Sequence, residues 1–164
     1  MIAMIIILVD ATSPVNIRRN KRIESGVVLG KEYHVSLKVL LHSFGDDDGV
    51  WRNILHITTG KDNGKLGSRT LGIWSGHGGK ILICSDHGNE RKYYTLTGYQ
   101  SFQWIDINIE QVLHDGKYFF RINVNGERKV EEENQNPRIY CDLQVYVGSP
   151  WSIAAEGFVK DLTF

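Results

Sequence analysis

The chain has 164 residues, 41% of them hydrophobic and 10% aromatic, which is enough for one domain with a sizeable core and excludes a disordered chain. Lys plus Arg and Asp plus Glu both number 19, so the net charge is zero and the basic surplus needed to hold phosphate backbones is missing. Nucleic acid is therefore not an expected partner.

The opening "MIAMIIILVD" is too short an apolar run to span a bilayer, and membrane insertion is not expected. It lacks the basic flank and small-residue cleavage site of a signal peptide, so a buried strand is expected over about residues 3–9. Beyond it, apolar alternation recurs and helical periodicity is scarce. "YHVSLKVLL" sets Val35, Leu37, Val39 and Leu41 on one face. "WRNILHITT" sets Ile54, His56 and Thr58 against Leu55, Ile57 and Thr59. "LGIW" and "KILICS" flank the glycine-rich turn "SGHGGK". "WIDINIEQVL" alternates Ile105, Ile107 and Ile109, and "KYFFRINVNGERKVEE" reads as two strands around Asn125-Gly126. "IYCDLQVYVGS" and "GFVKDLTF" close the chain. Strands with one apolar face need a second sheet to cover them. The expected fold is all-β, a single antiparallel two-sheet β-sandwich or jelly roll over residues 1–164.

Catalytic signatures are weak. The strand "WIDINIE" can be set against the E-x-D-x-E strand of β-glucanase-type sandwich hydrolases, which carries two carboxylates to flank a scissile bond. Aligning Asp106 with the central Asp puts Trp104 and Asn108 or Ile109 where the two acids belong. The shifted frame Asp106-x-Asn108-x-Glu110 has two acids but the wrong middle residue. The six histidines form no HxH or HExxH pattern, and no G-x-S-x-G elbow is present. The strand reads as a half-buried strand with a polar face, and no enzymatic activity is expected.

The acidic loops carry more. "FGDDDGVW" puts Asp46, Asp47 and Asp48 in one turn, more carboxylate than a turn needs. Calcium takes six to eight oxygens, largely from Asp, Asn and backbone carbonyls. Asp46 and Asp48 point to the same side of an extended stretch and are the expected ligands. "SGHGG" with His77 falls at the same rim. "KDNGK" and "SDHGNE" fall at the other, where Asp62, Asp86 and Asn89 form a second choice of metal site. Trp51 and Trp74 lie beside loops and are the candidates for stacking on a sugar ring, Trp74 with His77 being preferred, whereas Trp104 opens a strand with an apolar face and reads as core. Cys84 and Cys141 are open to three states: paired with each other, free, or linking two chains.

Four stretches, "GKEYHVSLKV", "GVWRNILHITTG", "LHDGKYFFRINVNGE" and "VYVGSPWSIAAEGFVKDLTF", resemble laminin-G-like, concanavalin-A-like sandwich modules of secreted cnidarian proteins, with sea-anemone galactose-binding lectins nearby. The resemblance covers about residues 26–164. It implies an extracellular carbohydrate-binding protein for galactose-type glycans or glycoproteins. It also makes Trp51, Trp104 and Trp151 structural, and "FGDDDG" a departure from the shared scaffold. The expectation is a lectin with a loop-bound calcium ion, acting as a homodimer for avidity. The alternative is an extracellular protein-binding adhesion or matrix module with a structural calcium.

Overall fold

The computed structural model describes residues 13–164; the strand expected over residues 3–9 lies outside them. The described residues form twelve strands and no helix. In chain order these are β1 (Val15–Asn16), β2 (Arg22–Leu29), β3 (Tyr33–Ser43), β4 (Arg52–Thr58), β5 (Leu71–Gly76) and β6 (Lys80–His87). They continue with β7 (Glu90–Leu96), β8 (Trp104–His114), β9 (Lys117–Val124), β10 (Glu127–Asn134), β11 (Tyr140–Tyr146) and β12 (Glu156–Thr163). Two antiparallel sheets result. A front sheet has the order β1-β12-β3-β8-β9-β10, and a back sheet the order β2-β11-β4-β5-β6-β7. The fold is the β-sandwich that the alternation predicts.

The alternation also says which face each strand buries. In β3, Val35, Leu37, Val39 and Leu41 are at most 1% exposed, and the first three pair in register with Ile109, Ile107 and Ile105 of β8. Phe120, Ile122 and Val124 extend this inner layer through β9, and Ile54, Leu55, Ile57, Leu71, Ile73, Ile81 and Ile83 meet it from the back sheet. Asn125 and Gly126, with φ of 51° and 79°, make the tight β9–β10 turn that the dipeptide predicts. Asp115 and Gly116 do the same between β8 and β9.

β4 departs from the alternating pattern. A bulge lies between Asn53 and Leu55, and every residue of β4 after Arg52 is buried. On the outer face His56 packs between Trp74 and Trp151, which supplies this burial. Asn53 N–H donates to the Ile153 carbonyl at 2.7 Å, and Ala155 N–H donates to the Asn53 carbonyl at 2.9 Å. The segment after β11 therefore runs beside β4 as a short parallel bridge partner and brings Trp151 onto His56. Among the described residues the front sheet keeps its outer face open, and that asymmetry positions the candidate site.

Candidate functional site

At the first rim, the carboxylates of "FGDDDGVW" meet an arginine rather than a ring of oxygens. Arg52 Nη2 lies 2.8 Å from Asp48 Oδ2, and Asp48 Oδ1 accepts the Val50 N–H at 2.9 Å. Asp46, with its side chain 92% exposed, is 3.8 Å from the same guanidinium. The hydrogen bond from Arg52, then that from Val50, holds the Asp48 carboxyl below the usual carboxylate range. His77 does lie at this rim, with Nδ1 3.3 Å from the Gly45 carbonyl oxygen.

The second rim repeats the solution. Asp62 takes a two-pronged contact from Arg69 at 2.8 and 3.1 Å. Asp86 takes Arg91 Nε at 2.8 Å on one oxygen and the Gly67 N–H at 2.6 Å on the other. Asn89 Oδ1 accepts from Arg138. Among the described residues no three His, Cys, Asp or Glu side chains converge where they could hold a metal. Calcium needs six or more free oxygens. Asp48, Asp62 and Asp86 have theirs turned to guanidinium and backbone N–H groups, so the loops as arranged do not fit that ion.

Trp74 is not a stacking platform. It is 4% exposed. The Arg69 guanidinium covers its ring at 5.1 Å, and the His56 ring meets it edge-on at 5.6 Å. Trp151 packs on the other side of His56 at 5.4 Å. This tryptophan–histidine–arginine stack is the layer that buries the outer face of β4.

Cys84 and Cys141 are both free. They sit on β6 and β11, which β4 and β5 separate. Three strand spacings put them ~14 Å apart, twice the reach of a disulfide. Burial pushes the Cys84 thiol up to about 12, whereas Cys141 is exposed.

The open face is that of the front sheet. Strand register arranges its outward side chains in rows. Phe158, Leu40 and Trp104 form the first row, and Lys160, Lys38 and Asp106 the second. Thr163, Ser36, Asn108, Asn123 and Arg128 form the third. His34, Glu110, Arg121 and Glu131 form the fourth. Neighbours in such rows stand about 5 Å apart, so each row acts as a continuous strip. The first row is apolar and aromatic. Beside it Phe102, 71% exposed, stacks on His42 at 5.6 Å, and His42 meets Phe158 edge-on at 5.3 Å.

Two features make this end unusual. Trp104 is 38% exposed, with the Lys160 ammonium 4.2 Å from its ring centroid. Phe102 has a φ of 60°, a conformation that costs a bulky side chain on the order of 1 kcal/mol or more. Its N–H donates to the Leu41 carbonyl at 2.8 Å, which anchors the strained residue to β3.

The polar rows are linked internally. Asn108 Nδ2 donates to Asp106 Oδ1 at 2.7 Å, and Ser36 and Thr163 hydroxyls lie 2.7 Å apart. Arg128 Nε donates to Asn123 Oδ1 at 2.7 Å, and Arg121 Nε to Glu131 at 2.7 Å. Trp104 was expected in the core. Its position has the parity of Asp106, Asn108 and Glu110, not of Ile105 and Ile107, and that parity places it on the open face.

No family model and no curated protein matches the sequence. Solved structures do. A native heptameric pentraxin from Limulus polyphemus matches with a TM-score of 0.54 and 11% identity, over 86% of this chain and 66% of that one. An alginate lyase matches at 0.53 and 13%, over 91% and 68%. Domain 4 of an extracellular arabinanase from Geobacillus stearothermophilus matches at 0.50 and 14%, over 87% and 64%. The chain thus spans about two thirds of each of these structures, and what it shares with them is the jelly-roll, concanavalin-A-like sandwich.

Proposed function

We propose that the protein binds glycans on the open face of its front sheet and does so as a binding module. The observation that carries this reading is the placement of Trp104 at the head of half-exposed rows of amide, hydroxyl and paired charged side chains. A sugar ring has an apolar C–H face and a rim of hydroxyls. An aromatic ring takes the first, and side chains that both donate and accept take the second. The charges on the face balance. Lys38, Lys160, Arg121 and Arg128 stand against Asp106, Asp161, Glu110 and Glu131, which favours a neutral glycan. Two solved structures of the same fold add support through their ligands: the arabinanase domain holds arabinotriose, and an alginate lyase at a TM-score of 0.52 holds dimannuronate.

Hydrolysis is the weaker reading. Asp106 and Glu110 lie four residues apart on one strand, ~13 Å along the chain. A glycosidase pair spans at most about 9.5 Å. Galactose-type glycans, implied by the sequence resemblance, are the first sugars to try, and a secreted homodimer would raise the avidity of a shallow site. Calcium has no part in this reading. An immobilised-glycan panel, run with and without a chelator, tests it. Binding to neutral glycans that the chelator leaves intact is expected. A panel with no glycan bound, alongside capture of matrix proteins, would overturn it in favour of an adhesion module.

A further inference from the structure

Each acidic loop carries its own arginine, but one basic turn carries no acid. The link between β1 and β2 reads Arg18-Arg19-Asn20-Lys21-Arg22, four cations in five positions of a chain whose net charge is zero. Arg18, Arg19 and Arg22 are exposed, and Lys21 is half-buried. Every ion pair among the described residues lies elsewhere and uses none of these four side chains. The nearest carboxylate in sequence, Glu24, accepts the Ser25 N–H at 2.9 Å.

The backbone holds these charges together. Lys21 N–H donates to the Arg18 carbonyl at 3.2 Å, closing a tight turn with Arg19 and Asn20 at its corners. Asn20 takes the left-handed conformation, at a φ of 61°, which asparagine tolerates better than most side chains. The chain after β11 runs alongside. Arg18 N–H donates to the Val147 carbonyl at 3.1 Å, Val147 N–H to the Lys21 carbonyl at 2.9 Å, and Asn20 N–H to the Ser149 carbonyl at 3.3 Å. Gly148 permits the approach, since a Cβ there would overlap the Arg18 carbonyl. The two ends of such a turn lie within about 7 Å of each other, inside the ~8 Å over which physiological salt screens charge. The cations therefore repel one another, and a polyanion removes that cost.

An aromatic ring stands beside the turn. Arg19 Nε donates to the Pro150 carbonyl at 3.2 Å, which holds this guanidinium next to Trp151, 40% exposed. Cations beside an exposed indole match a chain that alternates sugar rings with anionic groups. The indole takes the C–H face of a ring, and the guanidinium forks of Arg18 and Arg22 take sulfate in two-pronged contacts. A nucleic acid is a poorer match: one turn is too short to follow a phosphate backbone, and the net charge is zero.

We propose that the Arg18–Arg22 turn is a second binding site, for a sulfated polysaccharide. Four closely set cations call for closely set anions, which sulfate esters on successive sugars supply. The site is separate from the front-sheet face, because β12 and β3 lie between β1 and the Trp104 strand. It does not depend on that face binding glycan.

The test is calorimetric titration of the full chain with a heparin hexasaccharide, with its desulfated form, with a DNA duplex and with phosphatidylserine vesicles. Saturable binding of heparin that weakens as salt is raised is expected, with the desulfated form at least about tenfold weaker. Arg18→Gln, Arg22→Gln should weaken heparin binding about tenfold or more, the worth of one lost charged hydrogen bond. Lys61→Gln, Lys65→Gln removes the same charge from exposed positions at the other rim and should leave binding unchanged, as should Trp104→Ala. The proposal fails if the wild type does not bind heparin, or if the desulfated form binds equally well. It also fails if DNA or the vesicles bind as tightly, or if the two double variants lose affinity alike. The wild-type titrations decide it even where Arg18→Gln, Arg22→Gln does not fold.

Discussion

Arg52 and Asp48 form a close ion pair, Nη2 to Oδ2 at 2.8 Å, and this pair explains the acidic run that precedes it. One guanidinium serves Asp48 and reaches toward Asp46, so the loop carries its own cation. Asp62 with Arg69 and Asp86 with Arg91 follow the same plan. Calorimetric titration of the wild-type protein with calcium is therefore expected to give no saturable heat. Arg52→Ala should loosen the loop without unfolding the sandwich, since solvent screening leaves a surface ion pair little weight in overall stability. Stoichiometric calcium uptake by the wild type, lost in an Asp46→Asn, Asp48→Asn double variant, would reverse this account of the loop.

Gly72 lies directly beneath the ring of Trp74, and a Cβ at that position would overlap the ring. The ring is hemmed in by Arg69 and His56 and has nowhere to move. Gly72→Ala should destabilise the fold by about 1–3 kcal/mol, the usual cost of overpacking. Urea denaturation measures it. A midpoint equal to that of the wild type would show that the layer over β4 is loose.

Two buried histidines set the response to acid. His56 is 0% exposed, with Nε2–H donating to the Ser68 carbonyl at 2.8 Å, and His87 is 6% exposed. Burial lowers both pKa values below the ordinary 6.5. Between the folded and unfolded pKa values the unfolded chain binds more protons, so stability rises with pH. The contribution is complete above 6.5 and is lost as the pH falls below it. The loss is at most about 1.4 kcal/mol per pH unit for each group. Asp48, whose pKa is depressed below 3.8, adds its own loss only in stronger acid. Thermal unfolding should therefore shift downward between about pH 7 and pH 5, and His87→Phe should flatten the curve. A midpoint constant over that range would contradict the burial of the two rings.

The cysteines should differ in reactivity. A thiol reagent should label one site, Cys141, in the native protein, and both cysteines after unfolding. Cys84 is buried with a raised pKa, so its thiolate is scarce. On non-reducing electrophoresis an intrachain bridge is not expected. Equal labelling of both thiols in the folded state would show that β6 is less protected than its burial implies.

Much of the fold was legible because strand periodicity is local. The alternation in β3, β8 and β9, the turn at Asn125-Gly126 and the grouping of His77 with the "DDDG" rim all follow from residues a few positions apart. The site was less legible because it depends on pairings across strands. Arg52, Arg69 and Arg91 lie four to seven positions beyond the acids they pair with, and each pairing depends on how the strands and loops set the two side chains together. Trp74 lies beside its loop in sequence, but the Arg69 guanidinium and the His56 ring, from other strands and loops, close over it. Trp104 was the signal within reach. Its even parity with Asp106, Asn108 and Glu110 places it on the polar face.

The central claim is that the front-sheet face, headed by Trp104, binds glycan. The most direct measurement is calorimetric titration of the best glycan from the panel into wild-type protein and into Trp104→Ala, with the fold of both checked by far-UV dichroism. Removing the ring should weaken binding about tenfold or more, by the loss of its stacking and burial, with the fold intact. Equal affinity in the two folded proteins would contradict the account and move the glycan off this face.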